Sequence, residues 1–424
     1  MAAGRVAVVG GGLAGLAAAV DLKERGWNVE IFERSRLIGG RATSFEIDGI
    51  EVDNGQHVFL FCCKELLRFI ERCDFERDVY VQKRFEALVL DRNGTRGWLR
   101  ASPLPPPLHL FPSFVRYPHL SAGGKVKIVN ALVAAITEKR APEATFDRWL
   151  QRTGQTPETR RAFWDPFFIP ALNAPFDRVS AADALFTLKT AFTSSVTAAR
   201  FGYAKVPLAH LAARAAAKLD AVQLQSGIVG VDPAKNGVAL RQAQGETVTF
   251  DAVVIATPPR TVAKLLGNPA QYGVEHLDTY AAYPILDVHL WHDAGSAGFD
   301  FAAALDSPLQ WIFEKSPGYL SCSFSAAGES MTMPTADLEA FAWSEVRAFV
   351  PQLREAKLVR SAVTRNPEAT WLPQPGSPRT RTQTTHPRIA VAGSWTDTGW
   401  PDTMESAVRS GIAAARAVER APCT

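Results

Sequence analysis

The chain has 424 residues, of which 47% are hydrophobic and 21% are charged, so it can bury a large core and is predicted to form two lobes. Its 46 basic and 43 acidic side chains give a net charge of +3, and this balance excludes a nucleic-acid-binding protein, which needs a concentrated basic excess. Cysteines without paired CxxC spacing exclude a disulfide framework and a metal site and predict reduced thiols in a cytoplasmic protein: Cys62, Cys63, Cys73, Cys322 and Cys423.

The first predicted elements form a βαβ unit, with strands at Arg5 to Val9 and Asn28 to Phe32 and a helix from Leu13 to Arg25. The run Gly10-Gly11-Gly12-Leu13-Ala14-Gly15 joins the first strand to the helix. Its first glycine permits a tight turn, its third lets backbone amides approach a pyrophosphate, and its last allows close helix packing. The unpaired N–H groups at the start of the helix favour phosphate binding. The unit therefore predicts a dinucleotide site.

An acidic residue, Glu33, ends the second strand and is followed by Arg34, which we expect to line the same cofactor. A carboxylate at this position can accept both ribose hydroxyls and repels a 2′-phosphate, so FAD or NAD is favoured over NADP. The next run, Leu37-Ile38-Gly39-Gly40-Arg41-Ala42, resembles the GGR motif of the flavin amine oxidase and phytoene desaturase superfamily. That resemblance implies contact with the pyrophosphate region of FAD and favours FAD over NAD.

The middle of the chain predicts a lid or substrate lobe. A helix is expected between about Leu60 and Arg72, whereas proline blocks regular helix and sheet from Pro103 to Pro118. This proline-aromatic stretch, with its following basic residues Arg116, Lys125 and Lys127, could rest on a membrane surface and admit a lipid; a plain surface loop is equally consistent. Aromatic-rich helices are predicted at Lys125 to Ile136, Thr145 to Leu150 and Glu158 to Phe168. The aromatic residues between Phe146 and Phe201 either pack a core or line a tunnel for a polyisoprenoid.

The remaining predicted elements return to the nucleotide domain, leave it once more and end in it. The strands are expected at Ala221 to Val231, Gly237 to Gln242, Val248 to Ile255, Ile285 to Trp291, Gln310 to Phe313, Tyr319 to Phe324 and Ile389 to Val391, and the last helix at Thr403 to Val418. The order predicts an α/β fold, a Rossmann-like FAD-binding domain of the glutathione reductase type with an inserted α+β substrate domain. The FAD-binding domain is assigned residues 1–100, 205–262 and 386–424, and the substrate domain 101–204 and 263–385. Ile228 and Ala256 are expected to contact the cofactor.

The C-terminal segment from Ala392 to Gly411 is predicted to complete the cofactor site. It joins a strand to a helix whose first amides can point at the flavin pyrimidine ring and stabilise negative charge on the reduced flavin. The alternative is an ordinary terminal helix capped by Thr403. Cysteine is absent between Gly393 and Gly411, so covalent attachment there is excluded and a non-covalent FAD is expected. The expected contacts here are Gly393, Ser394, Pro401, Thr403 and Met404.

Several motifs spread over nearly the whole chain resemble the hydroxysqualene dehydroxylases of bacterial hopanoid synthesis, also described as squalene-associated FAD-dependent desaturases. They are Val52-Asp53-Asn54-Gly55-Gln56-His57, Asn173 to Ala181, Val288 to Trp291, Gln310-Trp311, Trp395 to Gly399 and Glu405 to Gly411. Many relatives have an acid where this chain has Ser394, and serine would bind a ribityl hydroxyl more weakly. The resemblance implies reductive removal of the hydroxyl of hydroxysqualene, giving squalene and oxidised FAD, with an electron donor that the sequence does not identify.

Such a reaction requires one proton donor in an apolar site. An allylic carbon–oxygen bond leaves as water when an acid protonates it, and the resulting cation accepts hydride from N5 of the reduced flavin. His57 and Asp53 are the first candidates for this acid and Asp397 is the third, while Gly55, Gln56 and His57 are expected beside the flavin. The alternatives are that Asp53 caps a turn and that His57 is a satisfied core histidine.

Three other functions fit parts of the sequence. A carotenoid-type desaturase would oxidise another polyisoprenoid with the same fold, and an amine oxidase would share the cofactor. A non-catalytic lipid carrier with a degenerate nucleotide fold is disfavoured by the intact glycine turn and Glu33. No uninterrupted run of about 18 apolar residues is present, so the protein is expected in the cytoplasm, with at most peripheral contact at the inner face of the membrane.

Overall fold

The computed structural model of the protein describes residues 4–138 and 144–419. Its strands, in chain order, are β1 (Arg5–Val9), β2 (Asn28–Phe32), β3 (Ser44–Ile47), β4 (Ile50–Asp53), β5 (Val58–Leu60), β6 (Val79–Val81), β7 (Glu86–Leu90), β8 (Arg96–Arg100), β9 (Phe201–Ala204), β10 (Ala221–Gln223), β11 (Ile228–Ala234), β12 (Gly237–Gln242), β13 (Thr247–Phe250), β14 (Ala252–Ile255), β15 (Tyr280–His292), β16 (Phe301–Ala304), β17 (Trp311–Ser316), β18 (Tyr319–Ser325), β19 (Leu358–Pro373) and β20 (Ile389–Val391). Cys423 lies outside the described residues.

The helices, in chain order, are α1 (Leu13–Glu24), α2 (Lys64–Arg72), α3 (Phe111–Val115), α4 (Ala122–Thr137), α5 (Phe146–Arg152), α6 (Pro157–Thr159), α7 (Asp165–Leu172), α8 (Ala181–Phe192), α9 (Ala209–Ala216), α10 (Pro259–Leu266), α11 (Thr335–Phe349) and α12 (Met404–Glu419). A π-helical turn, Arg160–Trp164, joins α6 to α7. Within residues 4–138 and 144–419, no helix is both long and apolar enough to cross a bilayer.

A five-stranded parallel sheet, in the order β10-β2-β1-β14-β20, carries the dinucleotide turn. Its strands are short β-branched runs such as Val6 to Val9, and they are buried because helices cover one face and the antiparallel sheet β11-β12-β13 packs on the other. Parallel strands with a glycine turn after the first confirm the predicted Rossmann-like domain.

The two helices beside the glycine turn pack together through small residues. A Cβ atom at Gly15 would lie 1.9 Å from the Gly10 carbonyl oxygen, and one at Gly411 would lie 2.2 Å from the Ala14 carbonyl oxygen. Ala17 and Ala18 continue this close contact. The last helix of the domain, α12, is therefore held directly against α1, which begins at the turn.

A seven-stranded sheet, in the order β19-β15-β18-β17-β16-β7-β8, forms the second layer. Along β15 the side chains alternate: Leu286, Val288 and Leu290 pack in the core that α11 covers. Asp287 and His289 lie on the opposite face and are also buried. This face turns towards the cofactor domain, as the contact between Asp287 and Gly55 demonstrates. By the same alternation, His289 and Trp291 lie on one face of the sheet.

Several sequence expectations differ from the structure. The proline-rich stretch contains a short helix, α3. Pro112 is compatible with it because it occupies the first turn, where backbone N–H groups make no hydrogen bonds within the helix. The run expected as one strand from Val248 to Ile255 forms two strands, β13 and β14, in different sheets. The domain division stays a proposal, but β7 and β8 pair into the seven-stranded sheet. We therefore assign residues 86–100 to the substrate domain rather than to the FAD-binding domain.

Candidate functional site

A cavity of about 740 Å³ runs from the glycine turn, past the N-terminus of α12, to a group of aromatic side chains in the substrate domain. Its volume lies within the range of about 300–1,000 Å³ that is typical of ligand sites. The polar end is formed by backbone of the glycine turn and of Gly39-Gly40. The far end is lined by rings, and its walls are predominantly apolar.

The backbone of the glycine turn packs directly against the backbone of the second glycine pair, Gly39-Gly40. The Gly39 amide donates to the Gly11 carbonyl at 2.8 Å, and a Cβ at Gly40, whose φ is +61°, would lie 3.0 Å from Gly12 Cα. A Cβ at Gly12 itself would have Gly40 Cα, at 3.9 Å, as its nearest neighbour. The bare backbone of Gly12 therefore faces the cavity, and a side chain there would occupy ligand space.

The first turn of α1 lines the same part of the cavity and has no side-chain cap: Gly12 is its N-cap residue, and no side-chain hydrogen bond is present there. Uncapped N–H groups at a helix N-terminus favour an anion. A glycine cradle beside such donors suits a diphosphate, so the residues of this structure fit the dinucleotide that the sequence predicts.

Glu33 ends β2 and lines the cavity beside the turn. Its Oε2 accepts from the Gly11 amide at 2.7 Å and its Oε1 accepts from the Ser35 amide at 2.8 Å. These two bonds fix the orientation of the carboxylate, because both come from rigid backbone. Each oxygen retains a further lone pair for a hydroxyl donor.

Arg41 connects the GGR loop to two distant segments. Its guanidinium donates to the Ser394 hydroxyl at 2.6 Å and to the Ala369 carbonyl at 2.7 Å, and lies 3.4 Å from Asp402 Oδ2. Asp402 also accepts from the Trp371 amide at 2.6 Å. Three groups thus hold the arginine, namely the Ser394 hydroxyl, the Ala369 carbonyl and Asp402, and Asp402 supplies the negative charge.

The start of α12 meets the cavity and is held by two contacts. Thr403 Oγ1 accepts from the Ser406 amide at 3.3 Å, so the capping role weighed from the sequence is present alongside the exposure of Thr403 and Met404 to the cavity. Glu405 is fully buried and accepts from the Leu66 amide at 2.7 Å at the start of α2 and from Arg409 at 2.7 Å. The sequence analysis named Glu405 only as part of a motif and assigned no role to this carboxylate.

The far end of the cavity holds a cluster of aromatic rings from the strands β9, β16 and β17. Trp311 is central: its ring lies 5.8 Å from Phe201, 5.7 Å from Phe301 and 6.0 Å from Phe313. Its indole N–H donates to the Pro166 carbonyl at 2.9 Å, which leaves the ring faces free of polar groups. We call this far end, lined by Phe201, Phe301, Trp311 and Phe313, the chamber. The aromatic residues of the middle region therefore divide: some line the chamber, whereas others, such as Trp149 and Trp164, pack behind it in the same hydrophobic core.

Of the expected cofactor contacts, Gly15 does not line the cavity; it serves the helix packing that its position predicts. The others all line it: Gly10, Gly12, Leu13, Ala14, Glu33, Arg34, Gly39, Gly40, Arg41, Gly55, Gln56, His57, Ile228, Ala256, Gly393, Ser394, Pro401, Thr403 and Met404. Their roles as ligands of a cofactor stay predictions.

Two of the three expected acids lie away from the cavity wall. Asp53 Oδ1 accepts from the Ser44 hydroxyl at 2.9 Å and from the Leu208 amide at 2.8 Å, and its Oδ2 lies 3.4 Å from Lys315 Nζ. Asp397 is exposed on the surface. This geometry argues against both as proton donors: Asp53 is held by Ser44, by the Leu208 amide before α9 and by Lys315, rather than capping its own turn, and Asp397 does not line the cavity.

His57 does line the cavity and is half-buried, and its buried Nε2 has no hydrogen-bond partner within the described residues. Burial lowers the pKa of its imidazole, an effect that the nearby Asp53 opposes. A lowered pKa keeps the ring neutral near pH 7, so His57 offers a hydrogen bond rather than the proton of an imidazolium.

A buried carboxyl that the sequence motifs passed over lies just behind this wall. Asp287 is 0% exposed, and burial raises its pKa to about 6. It precedes the Val288-His289-Leu290-Trp291 motif by one residue, and the signal that could have identified it is an unpaired acid in an otherwise apolar strand. Its neighbour across the strands, Ser323, lines the cavity.

Comparison with known proteins agrees with this geometry. The family model described as flavin containing amine oxidoreductase matches residues 13–419. A hydroxysqualene dehydroxylase of Rhodopseudomonas palustris is 28% identical over 428 residues, which cover 97% of each chain. A zeta-carotene desaturase of Zea mays is 22% identical over 470 residues, covering 96% of this chain and 82% of its own. A putrescine oxidase redesigned in its cofactor binding superposes with a TM-score of 0.76 at 16% identity, covering 97% of this chain and 98% of that one, and supports the fold.

Proposed function

Since the chain belongs to the flavin containing amine oxidoreductase family and is an FAD-dependent oxidoreductase, we propose that it removes the hydroxyl of hydroxysqualene reductively to give squalene, a step of hopanoid biosynthesis. The observation that carries the proposal is the single cavity that joins a dinucleotide cradle to an aromatic chamber. Similarity to a hydroxysqualene dehydroxylase along almost the whole chain supports the same substrate class.

The FAD would be held by the elements of the polar end. The α1 N-terminus and the Gly39-Gly40 backbone would bind the diphosphate, Glu33 the adenosine ribose, and the start of α12 the flavin pyrimidine ring. Arg41 would stay close to the diphosphate because Ser394 and the Ala369 carbonyl anchor its guanidinium. When bound and reduced, FAD supplies the hydride of the reaction.

The chamber would bind the polyisoprenoid and exclude water. Its rings present apolar faces to an alkene chain, and the electron-rich faces of Trp311 and Phe313 would stabilise positive charge that develops on an allylic carbon. Water is a competing nucleophile for such a cation, so a dry aromatic wall directs the cation towards reduction. His57, neutral in its half-buried position, would orient polar groups at the boundary between the two ends.

The decisive experiment is anaerobic. Photoreduced enzyme is mixed with hydroxysqualene, and flavin reoxidation is followed by absorbance while products are extracted and separated. We expect one squalene per flavin reoxidised. Reduced flavin that persists, with no squalene formed, would exclude the dehydroxylase function.

A carotenoid-type desaturase is the second candidate, and the resemblance to a zeta-carotene desaturase favours it among the alternatives. A desaturase oxidises its substrate and reduces its flavin. Oxidised enzyme mixed anaerobically with a carotenoid precursor would therefore lose its flavin absorbance. We expect no such bleaching.

A non-covalent FAD distinguishes the proposal from amine oxidases with attached flavin. Cys62 and Cys63 line the cavity, so attachment is best tested on the whole protein. Acid precipitation should release all of the yellow colour into the supernatant; colour retained in the pellet would contradict a non-covalent cofactor.

Peripheral contact with the membrane is part of the proposal because the substrate is a lipid. Large apolar side chains are exposed in and around α3 and α4, and we call them the apolar patch: Leu104, Leu108, Phe111, Val115, Val126, Val129, Val133 and Ile136. Lys125 Nζ donates to the Val115 carbonyl at 2.8 Å and ties the two helices together. Arg116 and Lys127 are exposed beside the patch, so an anionic lipid surface suits both its apolar and its charged groups.

A further inference from the structure

Asp287 on β15 and Ser323 on β18 stand directly opposite each other in the antiparallel pairing of these strands. The Ser323 hydroxyl donates to Asp287 Oδ1, and the Gln56 amide donates to the same oxygen at 3.2 Å. Oδ2 has no hydrogen-bond partner within residues 4–138 and 144–419. A buried carboxyl with one unsatisfied oxygen is costly for stability, so its position calls for a functional explanation.

The pair lies at the cavity wall. Ser323, Gly55 and Gln56 line the cavity, and a Cβ built on Gly55 would lie 3.1 Å from Asp287 Oδ2. The carboxyl is therefore separated from the chamber by one glycine backbone and one serine hydroxyl. Ser323 is also paired across the strands with Trp311, the central ring of the chamber.

We propose that Ser323 is the catalytic residue that delivers the proton to the leaving hydroxyl and that Asp287 is the proton source that acts through it. This inference rests on the proposed dehydroxylase function. It assigns the acid that neither His57, Asp53 nor Asp397 supplies.

The proton and electrons balance along this relay. In the acid form the direction of the bond between the two residues reverses: Asp287 Oδ1 carries the proton and donates to Ser323 Oγ, which turns its own hydroxyl proton towards the substrate. Asp287 then gives its proton to Ser323 Oγ as the Ser323 hydroxyl proton passes to the oxygen of the substrate. The carbon–oxygen bond breaks with its electron pair on oxygen, which leaves as water. The allylic carbon takes up hydride from the reduced flavin, and Asp287 regains a proton from solvent after turnover.

The surroundings keep the carboxyl available as an acid. The pKa of Asp287 is raised to about 6: burial is the largest cause and Asp53 adds to it, whereas the bonds from Ser323 and Gln56 and the charge of Lys315 oppose it. Lys315 is engaged with Asp53 at 3.4 Å and with Gln56 Oε1 at 3.1 Å, rather than with Asp287. The histidines His57 and His289 have lowered pKa values and add no positive charge near pH 7.

The test uses single-turnover reoxidation of photoreduced enzyme by hydroxysqualene in four forms: wild type, Asp287→Asn, Ser323→Ala and Ser321→Ala. Ser321 is the matched control, since it is a buried serine two residues along the same strand that does not line the cavity. We expect Asp287→Asn and Ser323→Ala to lose about 100-fold or more in rate, within the range of general-acid catalysis, while Ser321→Ala stays near wild type. FAD content and thermal unfolding are measured on each form.

The pH profile separates an acid from a structural role. The acid must be protonated, so the wild-type rate should fall about tenfold per pH unit above its pKa, and the Asp287→Asn profile should be flat. Wild-type rate and profile in Asp287→Asn would overturn the inference, whereas failure of wild type to form squalene would overturn the proposed function instead.

A second readout needs no turnover. The infrared carbonyl stretch of a protonated carboxyl should titrate in wild type, be absent from Asp287→Asn and move to higher pH in Ser323→Ala, because the Ser323 bond lowers the Asp287 pKa. If Asp287→Asn fails to fold, Ser323→Ala carries the test through its rate and its infrared shift. A Ser323→Ala enzyme with unchanged rate would refute the relay.

Discussion

The substitution Gly12→Ala should separate cofactor binding from folding. The N-cap backbone of Gly12, with φ of −75° and ψ of 176°, is extended and open to alanine, and a Cβ there would come no closer than 3.9 Å to a protein atom, at Gly40. The change should therefore alter stability by no more than about 1 kcal/mol, since the entropy gain of a glycine-to-alanine change offsets a poorer N-cap.

The effect on FAD should be much larger. The new methyl group would lie in the space where backbone amides meet the diphosphate, and displacing the ligand would weaken charge-assisted hydrogen bonds worth about 1.5–3 kcal/mol each. Losing two such bonds corresponds to an increase in Kd of at least about 100-fold. Apoprotein is titrated with FAD by quenching of flavin fluorescence, and the thermal unfolding of apoprotein is recorded in parallel.

The matched control is Gly123→Ala in α4, where a Cβ would also meet its nearest atom, Ser121 Oγ, at 3.9 Å. Gly123 does not line the cavity, so FAD affinity should equal that of wild type. A Gly12→Ala protein that binds FAD with wild-type Kd would refute the cradle assigned to the glycine turn.

Three further predictions address other parts of the molecule. Asp397→Asn should leave turnover with hydroxysqualene within about twofold of wild type because the side chain is exposed; a large loss of kcat would restore Asp397 as a candidate acid. Gly411→Val should destabilise the protein by about 3 kcal/mol in urea unfolding, since α12 must move off α1; an unchanged midpoint would contradict this packing. The pair Val126→Asp and Val133→Asp should reduce co-flotation with anionic vesicles by at least about tenfold at unchanged unfolding temperature; undiminished flotation would show that the apolar patch is not the contact surface.

The glycine turn, Glu33 and the start of α1 could be predicted to surround one cavity because their positions depend on backbone geometry that neighbours in the chain determine. Gly10 to Glu33 form a local unit, and their spacing alone positions them around one ligand. The Arg41 contact with Ser394 was beyond such reasoning, since it joins residues that only the completed sheet brings together.

The candidate proton donors were harder to predict, because their surroundings depend on contacts between residues that are far apart in the sequence. Asp53 and His57 are neighbours in sequence, but the strand β4 ends between them and only His57 reaches the cavity. Asp287 owes its raised pKa to burial beneath Gly55, a contact between residues more than 200 positions apart, which no local pattern encodes. Tertiary packing likewise determines which aromatic residues line the chamber and which pack behind it.

The parallel sheet has a consequence for synthesis of the protein. Strand β14 lies between β1 and β20, so the sheet joins segments from opposite ends of the described chain. On a ribosome that adds about 5–20 residues per second, β20 emerges on the order of tens of seconds after β1. Until then the apolar edge of the nascent sheet lacks its last strand, and the opening turn lacks the helix that closes over it. The cavity is therefore complete only once α12 has been synthesised, because residues near both ends of the described chain line it.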